Sequence, residues 1–242
     1  MKKSAIAVIP ARGGSKRIHR KNIRLFNNKP MIAYSIEVAR ESKLFDRVIV
    51  STNDQEIADI ARSYGAEVPF VRPEELADDH TGTAEVVVHA LQTLADMGSL
   101  PDFVCCIYAT VPMLRAEYLE QGLNSLIENP DKSYAFGVTE HRYPVQRSFT
   151  LEPDEKEGEV ITPLYPDCLS MRSQDLQPVY HDTGQFYWGK SSAFIENHDI
   201  FSSQAIPVRL PHYLVQDVDT MDDWRRAEVM YRAIQQLIDN DK

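Results

Sequence analysis

The stretch Arg12-Gly13-Gly14-Ser15-Lys16-Arg17, running on to Arg20, Lys21 and Asn22, carries the residue types that hold a polyanion. Backbone N–H groups freed by glycine can curl around phosphate oxygens, and Arg and Lys neutralise them. Nine of the 26 Lys and Arg residues fall within the first 36 positions, ahead of the first acidic residue, Glu37. The remaining 206 positions carry 17 basic against 36 acidic residues, a net of −19, in a chain whose overall charge is −10. So much positive charge in one loop of an acidic protein points to a phosphate ligand, and a nucleoside triphosphate suits it best. The loop matches neither common phosphate fingerprint: it lacks the earlier glycine of a Walker A loop and contains no G-x-G-x-x-G. The plainer alternative is a solvated basic turn between a strand and a helix.

Asp217-Val218-Asp219 is the second constellation. In an extended segment, alternation puts both carboxylates on one face and Val218 on the other. Paired hard oxygens suit Mg²⁺, which takes few protein ligands and keeps waters or phosphate oxygens. An isolated D-x-D is read equally well as a helix cap beside a surface acid. The basic loop favours the metal, because a phosphate site generally needs one.

These residues need elements to position them. Ala5 to Ile9 is a continuous apolar run, as expected for a strand covered on both faces. Pro30 can open a helix that continues through Ile32, Ala33, Ile36 and Ala39. Val48 to Val50 reads as a second strand, and the polar Ser51 to Asp54 as the cap of a helix ending at Gly65. Ala84 to Ala95 follows the i, i+3, i+4 spacing of another helix. Phe103 to Tyr108 is a third buried strand and Leu119 to Ile127 a further helix. This alternation predicts an α/β protein built on a doubly wound, mostly parallel sheet, with its ligand site at the carboxyl ends of the strands.

After Tyr134 to Thr139 the rhythm breaks. Residues 140–180 are rich in Pro, Tyr and charge and read as an insertion carrying a β-ribbon within a single domain spanning 1–242. Regular structure resumes at Phe186 to Trp188 and Ala205 to Leu210. A last helix then begins at Thr220, with Trp224, Ala227, Tyr231, Ile234 and Ile238 on its buried face. A chain of 242 residues can bury a core without disulfides, and Cys105, Cys106 and Cys168 lack metal spacing. The acidic balance argues against nucleic-acid binding. No apolar run reaches the length of a membrane span, so a cytoplasmic protein is expected.

Taken in order, these blocks resemble the sugar-activating cytidylyltransferases, the acylneuraminate family that makes CMP-linked sialic acids and related nine-carbon acids. Ile9 to Lys16 with Arg20-Lys21-Asn22 looks like that family's N-terminal signature. Lys29 to Tyr34 and Val50 to Asp54 are similar to its next two blocks. Gly65 to Phe70 with Arg72-Pro73 resembles its third, and Asp217 to Thr220 its metal motif. The sialic acid enzymes carry Gln-Pro-Thr-Ser-Pro-Leu-Arg after the third strand. Here Tyr108 to Arg115 is one residue longer and has Tyr in place of Gln. Downstream, Tyr180 to Trp188 replaces an Arg-containing stretch before Asn-Gly. Both departures resemble the branch that activates pseudaminic acid; the runner-up substrates are N-acetylneuraminic and legionaminic acid.

The resemblance implies a Rossmann-like nucleotidyltransferase fold, CTP and a nine-carbon sugar acid as substrates, Mg²⁺ as cofactor, and a homodimer in which the insertion reaches over the partner. It implies that Arg12, Lys16 and Lys21 hold the triphosphate, with Gly13 and Gly14 giving backbone donors beside Ala11, and that Asn22 sits near ribose or phosphates. Thr81 and Thr83 fall where the family reads the cytosine edge. Asp217 and Asp219 would bind the metal. Tyr108, Arg172, His181, Gln185 and, more loosely, Arg147 fall near the sugar, where one cation should meet its carboxylate; Arg147 and Arg172 are read equally as surface or interface ion pairs. Arg12, Lys16, Lys21 and Asp219 would be the catalytic set. Either Asp219 or a metal-bound hydroxide is left to take the proton of the attacking hydroxyl.

Overall fold

The computed structural model describes residues 3–154 and 158–240. The chain begins with β1 (Ala5–Pro10), whose side chains alternate between two buried clusters. Ala5, Ala7 and Ile9 enter one, Ile6 and Val8 the other. Burial on both faces is why the strand reads as an unbroken apolar run. A two-residue hairpin follows, β2 (Leu25–Phe26) and β3 (Lys29–Pro30). Its turn residues Asn27 and Asn28 have φ of 44° and 67°, the left-handed conformations a tight hairpin needs and Asn tolerates. The apolar periodicity gave no hint of this hairpin; the Asn-Asn pair is its signal.

Next come α1 (Met31–Ser42), β4 (Arg47–Ser51), α2 (Gln55–Ser63), α3 (Thr83–Asp96), β5 (Phe103–Ile107) and α4 (Ala116–Glu128). Pro30 caps α1, and Ile32, Ala33, Ile36 and Ala39 are fully buried. Asp54 caps α2, its Oδ1 accepting from Ile57 N–H at 3.0 Å, and Gly65 follows the helix with φ +87°. α1, α2 and α4 cover one face of the sheet and α3 the other.

The second half supplies β6 (Tyr134–Glu140), β7 (Phe149–Asp154), β8 (Gly158–Pro163), β9 (Tyr180–Lys190), the short α5 (Ser191–Ile195) and β10 (Ala205–Arg209). The main sheet has the order β10-β6-β9-β5-β1-β4. β4 and β5 both run parallel to β1, and β10 parallel to β6; β9 runs antiparallel to its neighbours β5 and β6. The sheet is therefore mostly parallel, with one reversed strand that apolar runs cannot orient. The expected ribbon is β7 paired with β8, inside 140–180 and apart from the main sheet.

From β1 the chain moves outward to β4, then returns through α3 to β5 on the other side of β1. That reversal opens a crevice at the carboxyl ends of β1 and β5. The last helix is α6 (Met221–Asn240), and Asp219 just ahead of it borders the cleft. Thr220 Oγ1 accepts from Asp223 N–H at 3.2 Å, while Asp223 Oδ2 accepts from Thr220 N–H at 2.8 Å, a reciprocal cap. Trp224 and Ala227 of α6 pack on Ile18, Phe26, Met31, Tyr34 and Val218. Burying a side chain of this size stabilises by about 1.5–3 kcal/mol, so the contact firmly ties the basic loop to the 217–219 segment. Among the described residues no helix is long and apolar enough to cross a membrane.

Candidate active site

The basic loop leaves β1 pinned from below. Fully buried Ala11 donates its N–H to Ser51 O at 2.9 Å, extending the sheet. A Cβ at Gly13 would lie 2.5 Å from Asp54 Oδ2, so only glycine lets the loop pass over that carboxylate. Gly13 N–H donates to Asn53 Oδ1 at 3.3 Å, whereas Gly14 faces open space. Asp54 is gripped by Arg20 through bonds of 2.7 and 3.1 Å. Burial would raise its carboxyl, but the Arg20 guanidinium and Ile57 N–H hold it below the ordinary value. Buried Asn22 fastens the loop to α1: its Nδ2 donates to Arg12 O at 3.0 Å and its carbonyl accepts from Ile32 N–H at 2.7 Å.

Above this scaffold lies a cleft of about 400 Å³. Arg12, Lys16 and Lys21 border it, as do Asn22 and Asp219, and Arg17 joins them. Each cation is already engaged by an acid of the facing wall. Arg12 Nη1 lies 2.7 Å from Asp79 Oδ1, and Lys16 pairs with the other oxygen of the same carboxylate. Lys16 and then Arg12 hold the Asp79 carboxyl below its usual value. Arg17 and Lys21 meet Asp219 Oδ1 at 2.9 and 3.3 Å, and Lys21 also donates to Val218 O at 2.6 Å. Asp79 thus pairs with two cations of the loop, and Asp219 with the other two.

The donor set fits Mg²⁺. Val218 is fully buried in the α6 cluster, which leaves Asp217 and Asp219 flanking it on the surface. The protein around its carboxylate, and then the charge of Asp219, push the Asp217 carboxyl up; a divalent cation would relieve that crowding. Among the described residues no three His, Cys, Asp or Glu side chains converge as a metal cage. Two carboxylates completed by phosphate oxygens are a usual Mg²⁺ arrangement. Asp219 borders the cleft, while Asp217 is exposed beside it.

The other end of the cleft is lined by hydroxyls and by one buried cation. Thr81 and Thr83 border it with Tyr108. Thr81 Oγ1 donates to Asp78 Oδ1 at 2.7 Å; Thr83, the first residue of α3, has its hydroxyl 3.2 Å from that of Tyr108. Arg72 also lines this end, only 3 % exposed. It donates to Ser51 Oγ at 3.1 Å and Leu76 O at 3.4 Å, and among the described residues no carboxylate pairs with it. Burial, then the charge of Arg12, lowers it to about 10. Sequence reasoning gave Arg72 no role; an Arg between Val71 and Pro73 in an otherwise acidic stretch was the signal.

The residues expected near the sugar are dispersed. Gln185 is buried behind Tyr108, accepting Tyr108 N–H through its carbonyl at 2.9 Å and donating Nε2 to Leu214 O at 2.6 Å. His181 is exposed on β9, its ring centroid 4.8 Å from that of His141. Arg147 donates to Met171 O at 2.7 Å, and Arg172 pairs with Asp175 at 2.7 Å, both within the insertion and outside the cleft walls.

A mostly parallel sheet with a basic cleft at its switch point defines a nucleotide-binding α/β protein of the nucleotidyltransferase kind. Its backbone superposes on a CMP:2-keto-3-deoxy-manno-octonic acid synthetase solved with CTP, with a TM-score of 0.68 over 95% of this chain and 99% of that one, at 16% identity. Residues 6–216 match the cytidylyltransferase family model, and the chain belongs to that family. It is 43% identical to the pseudaminic acid cytidylyltransferase of Campylobacter jejuni, over 94% of this chain and 96% of the relative. To the CMP-N,N'-diacetyllegionaminic acid synthase of Legionella pneumophila it is 30% identical, over 96% and 98%.

Proposed function

We propose that this chain is a Mg²⁺-dependent enzyme that transfers the cytidylyl group of CTP to pseudaminic acid, giving CMP-pseudaminic acid and pyrophosphate. The observation that carries this reading is the convergence of Arg12, Lys16 and Lys21 on one cleft, with Asp219 opposite. The anomeric hydroxyl oxygen of the sugar acid bonds to the α-phosphorus, the bond from that phosphorus to the bridging oxygen breaks so that pyrophosphate leaves, and the hydroxyl proton passes to Asp219 or to hydroxide. Such chemistry asks for positioning and charge neutralisation rather than a covalent nucleophile. Arg12 and Lys16 exchange Asp79 for the β- and γ-phosphates and stabilise the departing pyrophosphate. Lys21 holds Asp219 in place, and Arg72 with Thr81 and Thr83 faces the base. When bound by Asp217 and Asp219, Mg²⁺ supplies Lewis-acid polarisation of the α-phosphate. The substitutions at Tyr108 and His181, together with the Campylobacter relative, favour pseudaminic over sialic acid.

A coupled pyrophosphate assay across a panel of nine-carbon acids and the four nucleoside triphosphates tests this. Release with CTP and pseudaminic acid is expected to exceed every other pair. Faster turnover of N-acetylneuraminic or legionaminic acid overturns the sugar assignment, and no release with CTP and any of these acids overturns the reaction. The reading includes a homodimer formed through the ribbon, which leaves Phe149, Leu151, Ile161 and Leu164 about half exposed or more. Leu151→Glu with Ile161→Glu is expected to give a monomer in sedimentation. An unchanged sedimentation coefficient removes the ribbon from the interface.

A further inference from the structure

Gln185 bonds in two directions. Its main-chain carbonyl accepts the N–H of Tyr108, the residue that follows β5 and lines the cleft, at 2.9 Å. The carbonyl of the same Tyr108 accepts from Ser35 Oγ, fully buried on α1, at 2.7 Å. The cleft wall at Tyr108 is thus held from both sides, by β9 and by α1. The Gln185 side chain reaches a different part of the chain, where Nε2 donates to Leu214 O at 2.6 Å. Its Oε1 is buried and has no hydrogen-bond partner among the described residues. Turning the amide over would set Oε1 against the Leu214 carbonyl, two acceptors face to face, so the donor end belongs on Leu214.

Leu214 begins the stretch that delivers the two acids. It is fully buried, packed with Met113 and with Ile234 of α6, and stands three residues ahead of Asp217. Three residues span at most about 10 Å, so whatever fixes the Leu214 carbonyl keeps Asp217 on a short tether. The far end of the stretch is fixed by Lys21 Nζ on Val218 O at 2.6 Å and by Asp219 N–H on Asp223 Oδ2 at 3.3 Å. The N–H groups of Leu214 and Val215 turn back to Pro211 and His212, and Gln216 Nε2 bonds the neighbouring carbonyl of Asp217. Among the described residues, the hydrogen bond from the main sheet to residues 214–218 is that of Gln185. We propose that Gln185 is a positioning residue for the metal, a role that rests on the reading above in which Asp217 and Asp219 bind Mg²⁺. By holding Leu214 to the end of β5, it sets where the two carboxylates stand relative to Tyr108 and the bound nucleotide. It touches neither the metal nor the base.

Calorimetric titration of the enzyme with CTP, once in Mg²⁺ and once in EDTA, tests it. The ratio of the two affinities measures what the metal adds, because a purely structural defect weakens CTP alike in both solutions. Gln185→Met keeps the length of the side chain but removes the donor. It is expected to leave CTP affinity in EDTA as in wild type, since the loop cations carry it there. The gain from Mg²⁺ is expected to fall by up to about tenfold, the lower end of what outer partners of a metal site contribute. Gln185→Glu keeps the shape without the amide donor; it is expected to act in the same direction, and it decides the matter should Gln185→Met not fold. Asp219→Asn is titrated beside them. If Asp219→Asn removes the gain while both Gln185 variants keep it, or weaken CTP equally in the two solutions, the positioning role is overturned and the metal reading stands. If wild type gains nothing from Mg²⁺, or Asp219→Asn retains the full gain, the metal reading itself falls and the role of Gln185 with it.

Discussion

The cradle formed by the basic loop and the 140–180 insertion use the same residue types to opposite ends. In the cradle, Arg12, Lys16, Arg17 and Lys21 come from one loop yet meet acids from 63 or more positions away, Asp79 and Asp219. Their carboxylates and cations enclose a cleft. In the insertion, Arg172 pairs with Asp175 three residues on, and Arg147 with the carbonyl of Met171. Local exposed pairs of this kind stabilise little, about 0–1 kcal/mol, and enclose nothing. A cluster of cations becomes a site when the crossovers of the sheet bring an opposing wall to it.

The largest effect expected from this contrast lies at Asp219. Asp219→Asn should cut pyrophosphate release by about 10²–10³-fold, as loss of a group stabilising transition-state charge does, with an unchanged circular dichroism melt. Full activity would remove Asp219 from the metal site. Next, Lys16→Ala should weaken CTP about tenfold, the scale of one charge-assisted contact, while Arg172→Ala should leave CTP titration unmoved. Equal losses from both would erase the distinction between cradle and insertion.

A smaller effect is expected in stability. Asp54 supports the cradle from below, and Asp54→Asn keeps the helix cap while removing the charge that Arg20 grips. It should cost about 1–2 kcal/mol in urea denaturation at pH 7. The native carboxyl is depressed, so this stabilisation is complete above the ordinary carboxylate value of 3.8 and is lost as pH falls through the lowered native value. The gap between wild type and variant should therefore close in strong acid. Asp175→Asn in the insertion should cost almost nothing at either pH, and a comparable cost there would contradict the contrast. Smallest of all, Asp79→Asn should tighten CTP by about two- to threefold, because the phosphates no longer displace a full carboxylate charge from Arg12 and Lys16. Weaker CTP binding would instead make Asp79 part of the bound site.

Much of the scaffold was legible because its cause is local. β1, β4 and β5 are apolar on both faces, and Asp54, Gly65 and Thr220 mark helix ends by their own side chains or backbone freedom. The reversed direction of β9 was not legible, since hydrogen-bonding direction leaves no mark on an apolar run. Arg72 escaped notice for a related reason. Its chemistry arises from burial beneath the strand end of Ser51, which its neighbours in sequence do not announce.

The sequence by itself determined an acidic α/β protein with its positive charge gathered in one glycine-containing loop, and the order of blocks that marks its family. Charge, periodicity and capping are properties of neighbouring residues, so they survive in a one-dimensional reading. Only the tertiary structure decided which acids oppose which cations and that Gly13 must pass over Asp54. Those relations depend on contacts between positions up to about 200 residues apart, and a contact at that range is set by the packing of the sheet and α6, not by local sequence.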